Sequence, residues 1–172
     1  MDEEIIALFN GSRPATTDQW ETLHIQSMTA DFGEERQFLR NAGYGTIFAA
    51  EDLAKFNANK EYPSTYGYWD EDSLEYLWKY VDHTSSRKPK NRMYIGWMDS
   101  TSHTPFILPP IWKNNVTFYH EETAWASVNS WLNSLRWTDD IVKEIILGFR
   151  ERGLEDETLF VMFARLSETS LT

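Results

Sequence analysis

Apolar positions recur at helical spacing along two stretches of the chain. Leu74, Leu77, Trp78 and Val81 mark one face of a helix. Asp70-Glu71-Asp72 just before them suits the positive end of that helix's dipole. Val128, Trp131, Leu132, Leu135, Val142, Ile145, Ile146 and Phe149 mark a second, longer stripe, which Gly153 stops. A shorter helix is expected over 32–41, with Phe32, Phe38 and Leu39 near one face and Ala42-Gly43-Tyr44-Gly45 at its end.

Between the helices lie short apolar runs with turn residues at their borders. Thr46 to Ala50 reads as a buried strand, and Thr158 to Phe163 as the final one. Arg92 to Met98 lacks clean alternation, which predicts a parallel strand buried on both faces. Ile5 to Phe9 is a short apolar run ended by a turn at Asn10-Gly11-Ser12-Arg13-Pro14. Thr17 or Asp18 is placed to cap whatever follows around Trp20. The stretches 53–66, 84–91 and 109–118 read as loops, the second of them basic and the third long. Strands alternating with helices predict an α/β fold, a mainly parallel sheet flanked by helices.

Composition narrows the picture. The 172 residues suit one domain with a substantial core, and eight tryptophans argue against disorder. A net charge of -11 disfavours nucleic acid and anionic membrane as partners. No apolar run is long enough to span a bilayer. Met1-Asp2-Glu3-Glu4 lacks the basic and apolar regions of a signal peptide. Without cysteine there is no disulfide, thiolate metal site or cysteine nucleophile. Two N-glycosylation triplets occur, Asn10-Gly11-Ser12 and Asn115-Val116-Thr117, which matter only in a secreted chain.

His103 is the leading candidate for chemistry. It sits in Ser100-Thr101-Ser102-His103-Thr104-Pro105-Phe106, just after the Arg92–Met98 strand. Ligands of open α/β sheets bind at the C-terminal ends of strands, and hydroxyls with an imidazole donate well to a sulfate or phosphate oxygen. The alternative on the residues alone is a loop histidine that caps backbone groups. Other charged groups have structural readings. Asp139, on the apolar stripe, is expected to be buried and paired. Asp70-Glu71-Asp72 is read as a helix start rather than a metal cluster. His120 with Glu121 and Glu122 is read as a solvated face, and Arg87 to Lys90 as a solvated basic loop. His24 and His83 show no partners. Trp125, Trp131 and Trp137, six apart, do not share one helix face.

Four motifs in order carry a family resemblance: Leu39-Arg40-Asn41-Ala42-Gly43-Tyr44-Gly45-Thr46, Tyr66-Gly67-Tyr68-Trp69-Asp70-Glu71-Asp72-Ser73-Leu74, Thr101-Ser102-His103-Thr104-Pro105-Phe106, and the segment Ser130 to Met162 with Arg152-Gly153-Leu154. Together they resemble the sulfatase family of the alkaline phosphatase superfamily over roughly 31–162. The resemblance implies an incomplete alkaline-phosphatase-like core in one partial domain spanning 1–172, with 163–172 a divergent tail. It implies that His103 contacts an anionic sulfate or phosphate ester.

The family's activity is metal-dependent hydrolysis of sulfuric or phosphoric esters, with calcium, manganese or zinc as typical metals. The resemblance places the nucleophile at or before Met1-Asp2-Glu3, where there is no Cys, Ser or Thr. It places the first metal carboxylate on an N-terminal strand that this chain lacks. The metal-binding Asp-His pair should follow Met162, where Phe163-Ala164-Arg165 stands. We therefore expect no catalytic residue, no metal ligand and no cofactor in this chain, and a domain inactive by itself. The alternatives are a non-enzymatic binding or interaction protein derived from a sulfatase, or an ester hydrolase completed by a partner. An unrelated α/β domain is a third reading. The abrupt loss of similarity after Met162 is what a frameshift or a mis-assigned gene end leaves. Missing central strands expose backbone edges and apolar faces, which predicts marginal stability, self-association or a protein partner. Relatives are commonly secreted or lumenal, so no compartment is assigned.

Overall fold

In the computed structural model the described residues are 20–56, 63–64, 66–87, 92–119 and 125–163. Among these residues three parallel strands form the sheet: β1 (Trp20–Gln26), β2 (Thr46–Phe48) and β3 (Arg92–Met98), in the order β2-β1-β3. Four helices among the described residues accompany them: α1 (Glu35–Asn41), α2 (Ala50–Phe56), α3 (Leu74–Ser85) and α4 (Ala126–Glu151). Short 3-10 turns at Phe32–Glu34 and Asp70–Ser73 lead into α1 and α3, and a third at Glu155–Glu157 follows α4. This is the expected α/β architecture with a parallel sheet.

The central strand is the one the periodicity did not reveal. Trp20-Glu21-Thr22-Leu23-His24-Ile25-Gln26 forms β1, where a capped segment around Trp20 was expected. Thr17 and Asp18 lie outside the described residues, as do Ile5 to Phe9. Leu23 and Ile25 pair with Ile95 and Trp97 of β3 and point to the apolar side. There they join Phe48, Leu53, Tyr76, Leu77, Tyr80, Val81 and Phe149 in the main core. Thr22, His24 and Gln26 point the other way. Their polar atoms stay satisfied: Thr22 Oγ1 donates to the Gly43 carbonyl at 3.0 Å, and His24 Nε2 meets Gln26 Oε1 at 2.7 Å. The Gln26 amide in turn donates to Glu35 at 3.1 Å. A buried polar face held this way costs little, which is why a mixed sequence fills a central position.

Other expectations change with packing. The irregular stretch expected from Leu53 begins with the end of helix α2, whose Ala50, Asp52 and Leu53 are buried. Strand β3 is half-buried rather than buried on both faces, because among the described residues it pairs only with β1; Tyr94 is 56% exposed. On α4 the buried face runs through Asn133, Ser134, Trp137, Ile141, Gly148 and Phe149, rotated from the expected stripe, and Leu135 is exposed. The shift has two causes. Trp137 packs edge-on against Trp112 at 5.9 Å, and Gly148 passes so close to Trp78 that a Cβ there would lie 2.3 Å from the ring. Asp139 consequently faces solvent instead of being buried and paired. Trp137 is buried while Trp125 is exposed, so the three tryptophans do not share a face.

The segment Thr158 to Phe163 is not a strand. Thr158 has extended backbone angles, and Phe160 packs on Phe149 at 5.5 Å. Leu159, Val161, Met162 and Phe163 are exposed. A strand needs a neighbour to accept its backbone bonds, and none of the described strands lies beside this segment.

Candidate functional site

The C-terminal ends of β1 and β3 meet over one buried carboxylate, Asp70, which is 0% exposed. Ser27 follows β1, and Asp99-Ser100-Thr101 follows β3. Asp70 accepts from the Ser27 hydroxyl, from the Ser100 backbone N–H at 3.1 Å and hydroxyl at 2.7 Å, and from the Thr101 N–H at 2.9 Å. The Ser27 and Ser100 hydroxyls lie 2.6 Å apart. Four donors on one buried carboxylate fix the strand ends and the start of α3 relative to each other. Asp72 keeps the expected helix-start role, accepting from the Trp69 N–H at 3.0 Å. Asp70 has a second role that the helix-start reading did not contain.

The approach of chain to chain is tight here. Gly67 forms an antiparallel bridge with Met28, and the Tyr68 N–H donates to the Ser27 carbonyl at 2.9 Å. A Cβ on Gly67 would lie 2.2 Å from that same carbonyl, so only glycine lets the Tyr66–Trp69 segment reach β1.

Asp99 completes the cluster. It accepts from the Ser102 hydroxyl and, at 3.2 Å, from the Thr101 N–H. Burial, followed by the neighbouring Asp70, pushes its carboxyl up to about 7, while Ser102 and Thr138 pull the other way. Two carboxyl groups in one buried site do not both ionise readily, so Asp99 holds a proton well above the usual carboxylate range.

His103 stands at the rim of this cluster. Its backbone N–H donates to the Ser100 carbonyl at 3.1 Å, and its carbonyl accepts from Phe106 N–H at 2.9 Å. The ring packs edge-on against Tyr66, centroids 4.8 Å apart. Nδ1 lies 2.8 Å from the Thr104 carbonyl, which can only accept, so Nδ1 carries the hydrogen there. The ring is exposed. It lines a small cleft of about 20 Å³ with Ser64, Tyr66, Trp69, Ser100 and Thr101. That volume holds a water-sized group, such as one oxygen of an anion, rather than a whole ester. The sequence placed His103 correctly after β3. Nothing in a single sequence showed that Asp70, some thirty residues earlier, holds its loop.

The cluster does not fit a divalent metal. Asp70 receives four N–H and O–H donors, the arrangement that stabilises a carboxylate without a cation, and burial beside Asp70 favours the protonated form of Asp99, a poorer ligand for a hard cation. Among the described residues no three His, Cys, Asp or Glu side chains converge on a common point.

His24 and His83 have partners after all. His24 is buried beside Gln26, and burial lowers its pKa. His83 meets Arg87 at 2.5 Å, and Arg87 pairs with Glu21 at 2.5 Å, so Arg87 is an anchor rather than part of a solvated basic loop. Lys88 to Lys90 and His120 to Glu122 lie outside the described residues. A second network ties α1 to α2: Arg36 contacts Asp31 at 3.3 Å, Glu51 at 3.0 Å and Asp52 at 3.2 Å.

A parallel sheet with helices beside it and a loop site at its strand ends is an α/β domain, and a solved structure shares that fold. The lipoteichoic acid synthase LtaP from Listeria monocytogenes superposes with a TM-score of 0.62 at 14% identity, over 79% of this chain and 31% of that one. A protein of the alkaline phosphatase superfamily from Vibrio parahaemolyticus matches with a TM-score of 0.48 at 20% identity, over 73% of this chain and 29% of that one. This chain therefore spans about a third of the length of those structures. The sequence model of the Sulfatase family matches residues 15–164, and the chain belongs to the sulfatase family. No curated protein matches it. Among the described residues no helix is long and apolar enough to cross a membrane.

Proposed function

We propose that this chain is the ester-recognition part of a sulfatase-family domain, binding a sulfate or phosphate oxygen at His103. The observation that carries this reading is the clamped loop at the end of β3. Asp70 holds Ser100 and Thr101 by their backbone N–H groups, and the same loop presents the His103 ring at a small cleft that Pro105 and Ile107 also line. With Nδ1 donating to the Thr104 carbonyl, Nε2 is the ring nitrogen left to meet an anion oxygen, as a donor when it too carries a hydrogen. Hydrolysis in this family draws on a divalent metal and a nucleophile. The described acidic residues do not suit a metal, so binding without turnover is the activity we assign to these residues alone.

Titration of tryptophan fluorescence with an aryl sulfate and an aryl phosphate tests this, since Trp69 lines the cleft. Saturable quenching that His103→Ala weakens about tenfold or more is the expected result. Equal affinity in that variant would remove His103 from the site. Turnover on addition of calcium, manganese or zinc, lost in His103→Ala, would favour instead a hydrolase completed by groups outside the described residues. A chain that binds neither ester would favour a non-enzymatic interaction protein.

A further inference from the structure

The loop before α4 is held to that helix in an alternating way. Asn129, Asn133 and Arg136 stand on one side of α4 at four- and three-residue spacing, so they line one face. Arg136 donates to the Asn114 carbonyl at 2.6 Å. The Asn133 side chain takes the Val116 N–H at 2.9 Å and returns a bond to the Val116 carbonyl at 2.8 Å. Asn129 accepts from the N–H groups of Phe118 and Tyr119 at 3.0 and 3.1 Å and donates to the Tyr119 carbonyl at 3.0 Å. The backbone at residues 114, 116, 118 and 119 is thus pinned to the helix.

The residues between them, Asn115 and Thr117, are exposed, and no hydrogen bond to a described residue engages either side chain. They are the first and third residues of Asn115-Val116-Thr117. An acceptor triplet is used only where its asparagine amide and its hydroxyl are both reachable on the surface. Here the strap presents both, while its backbone is already satisfied by α4. Beside it lie Val116, Phe118, Tyr119 and Trp125, all partly exposed, with Tyr119 stacked on Trp125 at 5.0 Å. Aromatic faces next to an attachment point suit the apolar faces of sugar rings.

We propose that Asn115 is the attachment site of an N-linked oligosaccharide. The Asn115 Nδ2 attacks the anomeric carbon of an oligosaccharide carried on a polyprenyl pyrophosphate. The N–C bond forms as the C–O bond to the pyrophosphate breaks; the polyprenyl pyrophosphate leaves with the electron pair and Nδ2 gives up one proton. Such donors are used in a secretory lumen, so the site assigns the chain to a lumenal or extracellular compartment. The assignment is independent of ester binding at His103.

The test is mass spectrometry on the chain as made in its own cells. Cleavage at Lys113 and Arg136 releases residues 114–136, which hold this triplet and no other. The unmodified mass should be absent or minor. After peptide-N-glycosidase treatment in heavy-oxygen water the peptide should appear about 3 Da heavier, with the change at Asn115. Asn115→Gln and Thr117→Ala should each abolish the glycosidase-sensitive mass, while Asn10→Gln leaves this peptide unchanged. A native 114–136 peptide recovered mainly at its unmodified mass would overturn the proposal. So would a glycosidase-sensitive mass that persists in Asn115→Gln on the same peptide.

Discussion

Of the three segments that read as strands in sequence, Arg92–Met98 is one and Thr158 to Phe163 is not. β3 has β1 beside it and shares seven residue pairings with that neighbour. Its end is fixed to Asp70 through the Ser100 and Thr101 N–H groups. The later segment places one ring, Phe160, on the core and leaves Leu159 and Phe163 at 87% and 93% exposure. Apolar, β-branched sequence is therefore not sufficient. What turns such a run into a strand is a neighbouring backbone, and what turns a strand end into a site is a buried polar anchor beneath it.

The largest expected effect tests the anchor. Asp70→Ala leaves the Ser27 and Ser100 hydroxyls and two backbone N–H groups without their acceptor, and should cost about 3 kcal/mol or more in urea unfolding. A loss below about 1 kcal/mol would show that the strand ends hold themselves. Gly67→Ala places a methyl group against the Ser27 carbonyl and should cost about 2 kcal/mol, read as a drop in melting temperature. An unchanged melt would mean the Tyr66–Trp69 segment moves freely away from β1.

A smaller effect is expected from pH. Asp99 holds its proton more tightly folded than unfolded, because burial and Asp70 push its carboxyl up to about 7. Between the ordinary carboxylate value of about 4 and that folded value, the folded state binds more protons at this group. Its contribution to stability then falls as pH rises through this window and levels off above about 7. Asp99→Asn should flatten that slope in denaturant unfolding at a series of pH values. An identical slope in the variant would assign the dependence elsewhere. The smallest effect belongs to the other segment: Val161→Ser should change stability by no more than about 0.5 kcal/mol. A loss several times larger would reveal packing on that segment beyond Phe160.

Much of the fold was readable where one physical signal decides. Helical spacing of Leu74, Leu77, Trp78 and Val81 found α3, and Gly43 and Gly153 marked helix ends. The loop carrying His103 was found because it follows an apolar run. β1 escaped because its Thr22, His24 and Gln26 face is polar, and its burial depends on Gly43, Glu35 and other groups distant in sequence. The rotation of α4 was equally hidden: nothing in the spacing of Asn129 and Asn133 announces that their amides serve as a rail for the preceding strap. Asp70 shows the same limit at the site. Its spacing announces a helix start, whereas its four bonds come from residues that only the fold brings near.

Asp70 also closes two loops at once, of 43 residues back to Ser27 and 30 residues forward to Ser100. Each closure has an entropic cost that is met only when both distant segments are already in place. The His103 cleft should consequently assemble as one of the last events of folding rather than as part of its nucleus. Weakening this non-covalent staple should leave the folding rate nearly unchanged and accelerate unfolding instead. By the same order, the cleft would be among the first parts of the domain to come apart in unfolding.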